Sequence, residues 1–267
     1  YIPDSAVLAV YLQPQDLLAA PNMELMPVEV ITAAGMKEFG FDPMQIQSAL
    51  ILGEVIDPQQ PPGAAVVLRF KQAFDPSSIL PNFLGDAEDI EAAGVKYKRS
   101  NAPGNPAVAI IDNKTLIVGV EVMVQKMLQE DATAGPLRSI VASDKGSHTA
   151  CVYLTLEPVR ELINMAMMQV PQLPPPLEPF KKVPNLVQHA ELHIDQSDKA
   201  HYDLSLFARS DEDAQQLFQI VQQAMTMGQM MLLQNIRQEI GDSEDPVEQA
   251  SMKYAERVIG YLFAQVK

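Results

Sequence analysis

The stretch SAVLAVYLQPQDLL, residues 5–18, returns in altered form as TACVYLTLEPVREL, residues 149–162. At a constant offset of 144 residues, the two copies share four identities, namely Ala6/Ala150, Leu12/Leu156, Pro14/Pro158 and Leu18/Leu162. Each copy is an apolar run with β-branched and aromatic residues, and it ends where a proline can occupy the first turn of a helix. The sequence therefore predicts a repeated strand-to-helix unit.

The pattern that follows each copy predicts similar secondary structure twice. The first half reads as strand, helix, two strands, helix and strand, with the second helix extending from residue 76 to about residue 93 and a further hairpin and helix at the end. The second half reads as strand, helix, a hairpin over residues 188–209, and two long helices over residues 211–240 and 246–265. Each half resembles a split βαβ unit of ferredoxin-like type.

These elements predict an α+β fold. We expect two related split-βαβ halves that form an antiparallel sheet with helices packed on one face, plus the two C-terminal helices. The predicted boundaries are residues 1–134 for the first half, 135–148 for a connector and 149–267 for the second half.

The composition restricts the class of protein. With 47% hydrophobic and 20% charged residues, the chain has the balance of a globular protein. The formal net charge of −15 disfavours binding to nucleic acid and to anionic lipid, since both require basic surface. No apolar run reaches the roughly 18 residues that a spanning helix needs, so no membrane span is expected. Because the chain opens on Tyr1, we expect that something upstream has been removed, and a cleaved signal peptide or a trimmed membrane anchor would fit.

Four acidic residues that could suggest catalysis have a structural interpretation. Asp42, Asp75, Glu157 and Asp245 each directly precede a proline. A carboxylate before a helix accepts hydrogen bonds from free backbone N–H groups, and proline suits the first helical position. We expect helix caps at these positions. The single cysteine, Cys151, lies in an apolar strand pattern and is expected to be buried and unreactive.

The hairpin QHAELHIDQSDKAHYDLSLFA, residues 188–208, holds three of the four histidines. Strand alternation places its apolar residues on one face, and its histidines and acids on the other. One register sets His193 opposite Asp203 and Asp195 opposite His201, which gives two cross-strand ion pairs. The register shifted by two residues sets His193 opposite His201, which could begin a zinc or copper site. The candidate metal ligands are therefore His193, His201, Asp195 and Asp203, and the ion pairs are the favoured interpretation.

Methionines concentrate in INMAMMQV, residues 163–170, and AMTMGQMMLL, residues 224–233. Flexible thioethers can line an adaptable apolar groove, although a stripe at helical spacing is more typical of a packed core. These segments are the basis for an alternative function, the carriage or sensing of an apolar small molecule.

Three passages resemble a group of bacterial proteins that are exported or membrane-anchored and abundant in planctomycetes. They are YIPDSAVLAVYLQPQDLLAAP (1–21), FDPSSIL (74–80) and VKYKRSNAPGNPAVAIIDNKTLIVGVEVMVQKML (95–128). The last contains a hairpin in which Asp112, Thr115 and Gly119 match a D-x-x-T motif followed by an apolar run and glycine. The resemblance implies an extracytoplasmic location, and no catalytic residue is carried over from it.

The expected function is therefore a non-enzymatic extracytoplasmic protein, without a cofactor, that binds another macromolecule such as a protein. The alternatives are the apolar carrier or sensor and a metal-binding protein that uses the hairpin over residues 189–203. A hydrolase that uses the acids and histidines of that hairpin ranks last.

Overall fold

The fold is taken from a computed structural model. It describes residues 1–18, 26–55, 63–77, 79, 87–92, 94–101, 104, 106–129, 135–144, 148–169, 175–196, 200–240 and 246–264. Two compact units divide the chain: the first contains Tyr1–Gln169 and Gln188–Phe207, and the second contains Val170–Val187 and Ala208–Lys267. This division differs from the predicted boundaries, because the strands after residue 149 belong with the first unit.

Ten strands form one sheet. In chain order they are β1 (Ala6–Leu12), β2 (Ile46–Glu54), β3 (Gly63–Phe70), β4 (Ala87–Ala92), β5 (Val95–Ser100), β6 (Pro106–Ile110), β7 (Thr115–Val120), β8 (Ala150–Thr155), β9 (Val187–Gln196) and β10 (Ala200–Ala208). Their spatial order is β10-β9-β8-β1-β2-β3-β7-β6-β5-β4. The structure therefore confirms a large antiparallel sheet within a mixed helix-and-strand fold.

Eight α-helices are described. They are α1 (Pro14–Leu18), α2 (Val28–Phe39), α3 (Glu121–Leu128), α4 (Pro136–Ser143), α5 (Arg160–Gln169), α6 (Val183–Leu186), α7 (Asp211–Ile240) and α8 (Pro246–Ala264). Short 3-10 helices span Pro43–Gln45, Glu157–Val159 and Pro175–Lys182. The two predicted C-terminal helices are confirmed as α7 and α8. Within the described ranges no helix combines the length and the apolarity needed to cross a bilayer, as predicted.

The two strands that open the repeated stretches are neighbours in the sheet. β1 pairs with β8 in antiparallel register, with Val10 opposite Val152 and Leu12 opposite Ala150. From this pair the sheet runs outward through β2 and β3 on one side and through β9 and β10 on the other. Each side is thus a strand, a helical segment and a further antiparallel hairpin.

The split-βαβ organisation is not confirmed. Such a unit contains parallel strands joined by a helical crossover, whereas every strand pairing with a described register is antiparallel. The helix expected up to about residue 93 is also wrong at its C-terminal end, where β4 lies instead.

Cross-strand charge explains why residues 87–92 form a strand. Alanine and glutamate favour helix in isolation, but β4 pairs with the basic strand β5. Lys98 Nζ lies 2.7 Å from Asp89 Oδ1, and Arg99 Nη2 lies 3.0 Å from Glu88 Oε2. Gly94, with φ of 76°, supplies the left-handed residue of the connecting turn. The partner strand therefore overrides the local helix preference.

Each face of the sheet carries a hydrophobic cluster. Alternate residues of β3 divide between them: Val67 joins the first cluster, and Leu68 and Phe70 join the second. The first cluster includes residues of α3 and α4, among them Met123, Val124, Met127, Leu128 and Leu137. The second includes Phe41, just after α2. The predicted arrangement of helices on one face is therefore too simple, since chain segments cover both faces.

The acids before prolines act mainly as caps. Asp42 accepts a hydrogen bond from the Met44 backbone N–H at 2.9 Å, and Asp75 accepts one from the Ser77 N–H at 2.9 Å. The Ser77 hydroxyl also donates to Asp75, and these two hydrogen bonds, with that of the hydroxyl first, lower the pKa of Asp75. Glu157 is instead the first residue of a 3-10 helix whose N-cap is Leu156. Asp245 lies outside the described residues.

A buried ion pair ties β2 to α3. Glu54 is 2% exposed, and its Oε2 lies 2.8 Å from Lys126 Nζ. The hydroxyl of Ser5 donates to the same oxygen at 2.5 Å. A carboxylate removed from water requires such partners, because desolvation otherwise costs several kcal/mol.

We expect Lys126→Met to lower the free energy of unfolding by about 3 kcal/mol, because it leaves the buried Glu54 carboxylate without its cation. Urea unfolding followed by circular dichroism measures the change. Lys98→Met is the matched control: it makes the same substitution in an exposed pair on β5 and should leave the unfolding midpoint close to that of the wild type. Equal effects of the two substitutions would contradict the role assigned to Lys126.

Candidate metal centre and open sheet face

The histidine-bearing side of β9 lies on the face of the sheet that carries the first hydrophobic cluster, called the covered face from here on. β9 pairs with β8, with His193 opposite Cys151 and Glu191 opposite Tyr153. Cys151 and Tyr153 belong to the first hydrophobic cluster, which also contains Leu137 of α4. Residues directly opposite each other project to the same side of the sheet. The hairpin's polar side is therefore directed inward along β9.

Contacts between β9 and β10 follow the alternation that the sequence predicts. The rings of His189 and Phe207 stack with centroids 4.2 Å apart and an interplanar angle of 11°. This contact fits the register that would set His193 opposite Asp203. Nevertheless, the expected cross-strand ion pairs are not formed among these described residues.

The four predicted metal ligands separate into two pairs. His201 and Asp203 are exposed on β10, where the Ser205 hydroxyl donates to Asp203 at 3.1 Å. His193 and Asp195 contact residues that precede β8 instead. Metal binding by the original set of four stays a prediction, and the structure brings only His193 and Asp195 into a common cluster.

Asp144 is at the centre of this cluster. It follows α4 directly and is largely buried, with 12% of its side chain exposed. Its Oδ2 accepts a hydrogen bond from the Tyr153 hydroxyl, and the Cys151 thiol donates to the same oxygen at 3.4 Å. His193 Nε2 lies 3.6 Å from that oxygen and 3.5 Å from Glu191 Oε2. The carboxylate therefore joins the end of α4 to strands β8 and β9.

His148 completes the cluster. Its Nδ1 lies 2.8 Å from Asp195 Oδ2, and its ring stacks on His193 with centroids 4.3 Å apart and an interplanar angle of 8°. Asp144, His148 and His193 each offer one ligand atom, and these three atoms lie within 4.8 Å of one another. These are the residues of the described chain that could hold a metal ion together.

The sequence pattern identified His193 as a candidate ligand, but neither Asp144 nor His148. The available signal was the spacing in DKGSH, residues 144–148, where an acid and a histidine are four residues apart just before a strand. This spacing indicates a shared site with His193 only when β9 is known to lie beside β8. That neighbour relation is absent from the local pattern.

The buried polar groups around Asp144 are held in their neutral forms. Burial, together with the hydrogen bond to Asp144 and the negative charge of that carboxylate, raises the pKa of the Cys151 thiol to about 11. Burial, followed by the hydrogen bond to Asp144, raises the pKa of Tyr153 well above its usual range. Both groups therefore act as hydrogen-bond donors, and Cys151 is not an activated nucleophile.

The opposite side of the same strands is apolar and partly exposed. We call this surface the open sheet face and define it by the even-numbered residues Leu8, Val10, Val152, Leu154, Leu192, Ile194, Tyr202, Leu204 and Leu206. Leu154 is 37% exposed, Leu206 41%, Tyr202 62% and Leu204 66%. Apolar patches of this kind on a soluble domain typically mark interaction sites.

Several methionines of the two methionine-rich segments are exposed to solvent. Met165 and Met168 on α5 and Met230 and Met231 on α7 are exposed. The open depression of about 660 Å³ in the second unit is lined by Ala250, Lys253, Glu256 and Arg257. Three of these four residues carry charged side chains, and the carriage of an apolar small molecule stays a prediction.

No protein-family model matches the chain, and no curated protein matches it. Two solved structures are similar to it, those of crystal forms III and I of TP0453, with TM-scores of 0.40 and 0.38 and sequence identities of 10% and 11%. The first match covers 79% of each chain, and the second covers 81% of this chain and 82% of the other. At these TM-scores the likeness carries no argument about this protein.

We expect the Cys151 thiol of the folded protein to react with iodoacetamide at pH 8 about 100-fold more slowly than the urea-unfolded chain, because its raised pKa lowers the thiolate fraction and burial restricts access. The rate should rise with pH up to about 11, since the thiolate is the reactive form. Mass spectrometry of quenched samples measures both rates on the sole cysteine. Equal rates for folded and unfolded chains would contradict the assignment.

Proposed function

We propose that this protein is a non-enzymatic binding protein that acts outside the cytoplasm and recognises a partner protein through the open sheet face. The observation that carries the proposal is the exposure of Tyr202, Leu204 and Leu206 along one side of β10. Each such side chain left in water forgoes roughly 1.5–3 kcal/mol that full burial would contribute. A protein surface that covers the patch would recover part of this free energy.

The position of β10 adds a second means of recognition. It is the last strand in the described sheet order, so its outer backbone edge has no neighbouring strand there. An extended segment of a partner can add to such an edge by main-chain hydrogen bonds. Its alternate side chains would then lie beside Leu204 and Leu206 and extend the open sheet face.

Charge and shape favour a protein over other ligands. The net charge of −15 opposes nucleic acid and anionic lipid. A sheet face presents a broad surface, whereas small apolar molecules are usually bound in concave pockets. The extracytoplasmic location is supported by the resemblance to exported bacterial proteins, and cell fractionation with an antibody would contradict it if the protein were recovered with the cytoplasm.

We also propose that the β1–β2–β3 and β8–β9–β10 segments derive from one duplicated unit. Support comes from the 144-residue offset between the two repeated stretches and from the pairing of β1 with β8. Related sequences should preserve the same offset between the two copies. Independent loss of the shared positions in each half would contradict the duplication.

To test the binding surface, a photo-reactive amino acid is placed at position 204 and, as a control, at position 30. Leu204 and Val30 have similar exposures of 66% and 63%, but Val30 lies on α2. Irradiation in the native envelope should cross-link one defined protein from position 204 and not from position 30. Equal labelling from both positions, or attachment of lipid alone, would contradict the proposal.

With the captured protein purified, Leu204→Glu should weaken binding at least about 10-fold, because a buried charge would face an apolar surface. Val30→Glu should leave the dissociation constant unchanged. Titration calorimetry measures both, and circular dichroism verifies that both variants are folded. An unchanged affinity in Leu204→Glu would remove the open sheet face as the binding site.

A further inference from the structure

We propose that Asp144, His148 and His193 bind one divalent transition-metal ion of the zinc type. The three ligand atoms lie within 4.8 Å of one another, on the covered side of the sheet. This set shares only His193 with the hairpin residues that the sequence suggested. It is independent of the open sheet face, which lies on the other side of the same strands.

The donor types select the class of ion. Two imidazole nitrogens and one carboxylate oxygen suit Zn²⁺ and neighbouring transition metals, whereas Mg²⁺ and Ca²⁺ prefer oxygen ligands throughout. With bonds of about 2.0–2.1 Å, ligand atoms around a tetrahedral zinc ion are about 3.3 Å apart. The present separations therefore require a small contraction, which side-chain rotation can supply.

Asp195 can set the tautomer of His148 that a metal ligand needs. Asp195 Oδ2 lies 2.8 Å from His148 Nδ1, so this carboxylate accepts the Nδ1 proton and leaves Nε2 as the lone-pair donor. Carboxylate–histidine pairs of this kind fix the tautomer and orientation of ligating imidazoles. The Tyr153 hydroxyl holds Asp144 in a comparable way. Asp195 and Tyr153 are positioning residues and do not belong to the ligand set.

The strongest indication of a missing partner comes from His193. Its Nε2 is buried and has no hydrogen-bond partner, although Asp144 and Glu191 oxygens lie 3.6 and 3.5 Å away. Buried polar atoms are normally satisfied, and an unsatisfied one indicates an unmet interaction such as an ion. His148 stacks face to face on His193, so the two rings are close enough to share an ion once one of them rotates out of the stack and both nitrogens point at the same position.

The test is calorimetric titration of the full chelator-treated chain with ZnCl₂. We expect one saturable site per chain. His193→Ala and His148→Ala should each weaken it at least about 100-fold, and Asp195→Asn about 10-fold, because it removes only the orienting carboxylate. Co²⁺ should give the visible absorption of a four-coordinate site in the wild type, and Mg²⁺ should not compete.

His201→Ala and Asp203→Asn are the matched controls, since both residues are exposed on β10 and were candidate ligands in the sequence. Both should bind Zn²⁺ as the wild type does, and urea unfolding in chelator verifies the fold of every variant. If His148→Ala and Asp195→Asn bind normally while His201→Ala does not, the ion belongs to the hairpin and the proposal is wrong. The absence of any saturable zinc binding would also overturn it.

Discussion

The antiparallel pairing of β1 with β8 is the constraint on which the rest of the structure depends. It joins strands that begin 144 residues apart into the middle of one sheet. Ala9, Cys151 and Tyr153 thereby enter the same hydrophobic cluster as Leu137 of α4. Without this pair, β8, β9 and β10 would have no connection to the larger part of the sheet, and the covered face would end at β1.

The same pairing explains why the usual orientation is inverted at this end of the sheet, with the polar side of β9 directed inward and the apolar side of β10 exposed. Strand alternation gives β9 and β10 one polar and one apolar side, and usual patterning would direct the apolar side toward the core. Here β8 determines the outcome, because its buried Cys151 and Tyr153 lie on the side that His193 and Glu191 share. The polar groups therefore lie beneath the covered face, and the apolar groups of β10 face solvent.

This inversion links the two proposals without making either depend on the other. A buried cluster of two imidazoles and several carboxylates requires compensation, which hydrogen bonds provide for Asp144 and His148 but not for His193 Nε2. The exposed apolar side chains of the open sheet face would be removed from water only by contact with a partner. One strand register thus places both the proposed metal ligands on the inner side of the sheet and the proposed partner surface on its outer side.

The local pattern was sufficient for much of the fold: most strands, the Asp42 and Asp75 caps, the burial of Cys151 and the two C-terminal helices. These features depend on residues that are neighbours along the chain, so the sequence pattern alone can predict them. The strand at residues 87–92, the inward side of β9 and the meeting of Asp144 with His193 depend on neighbours across the sheet. The alternation of residues along a strand defines its two sides. Only the pairing with a neighbouring strand, and the helix that packs on that pair, decide which of the two sides is buried.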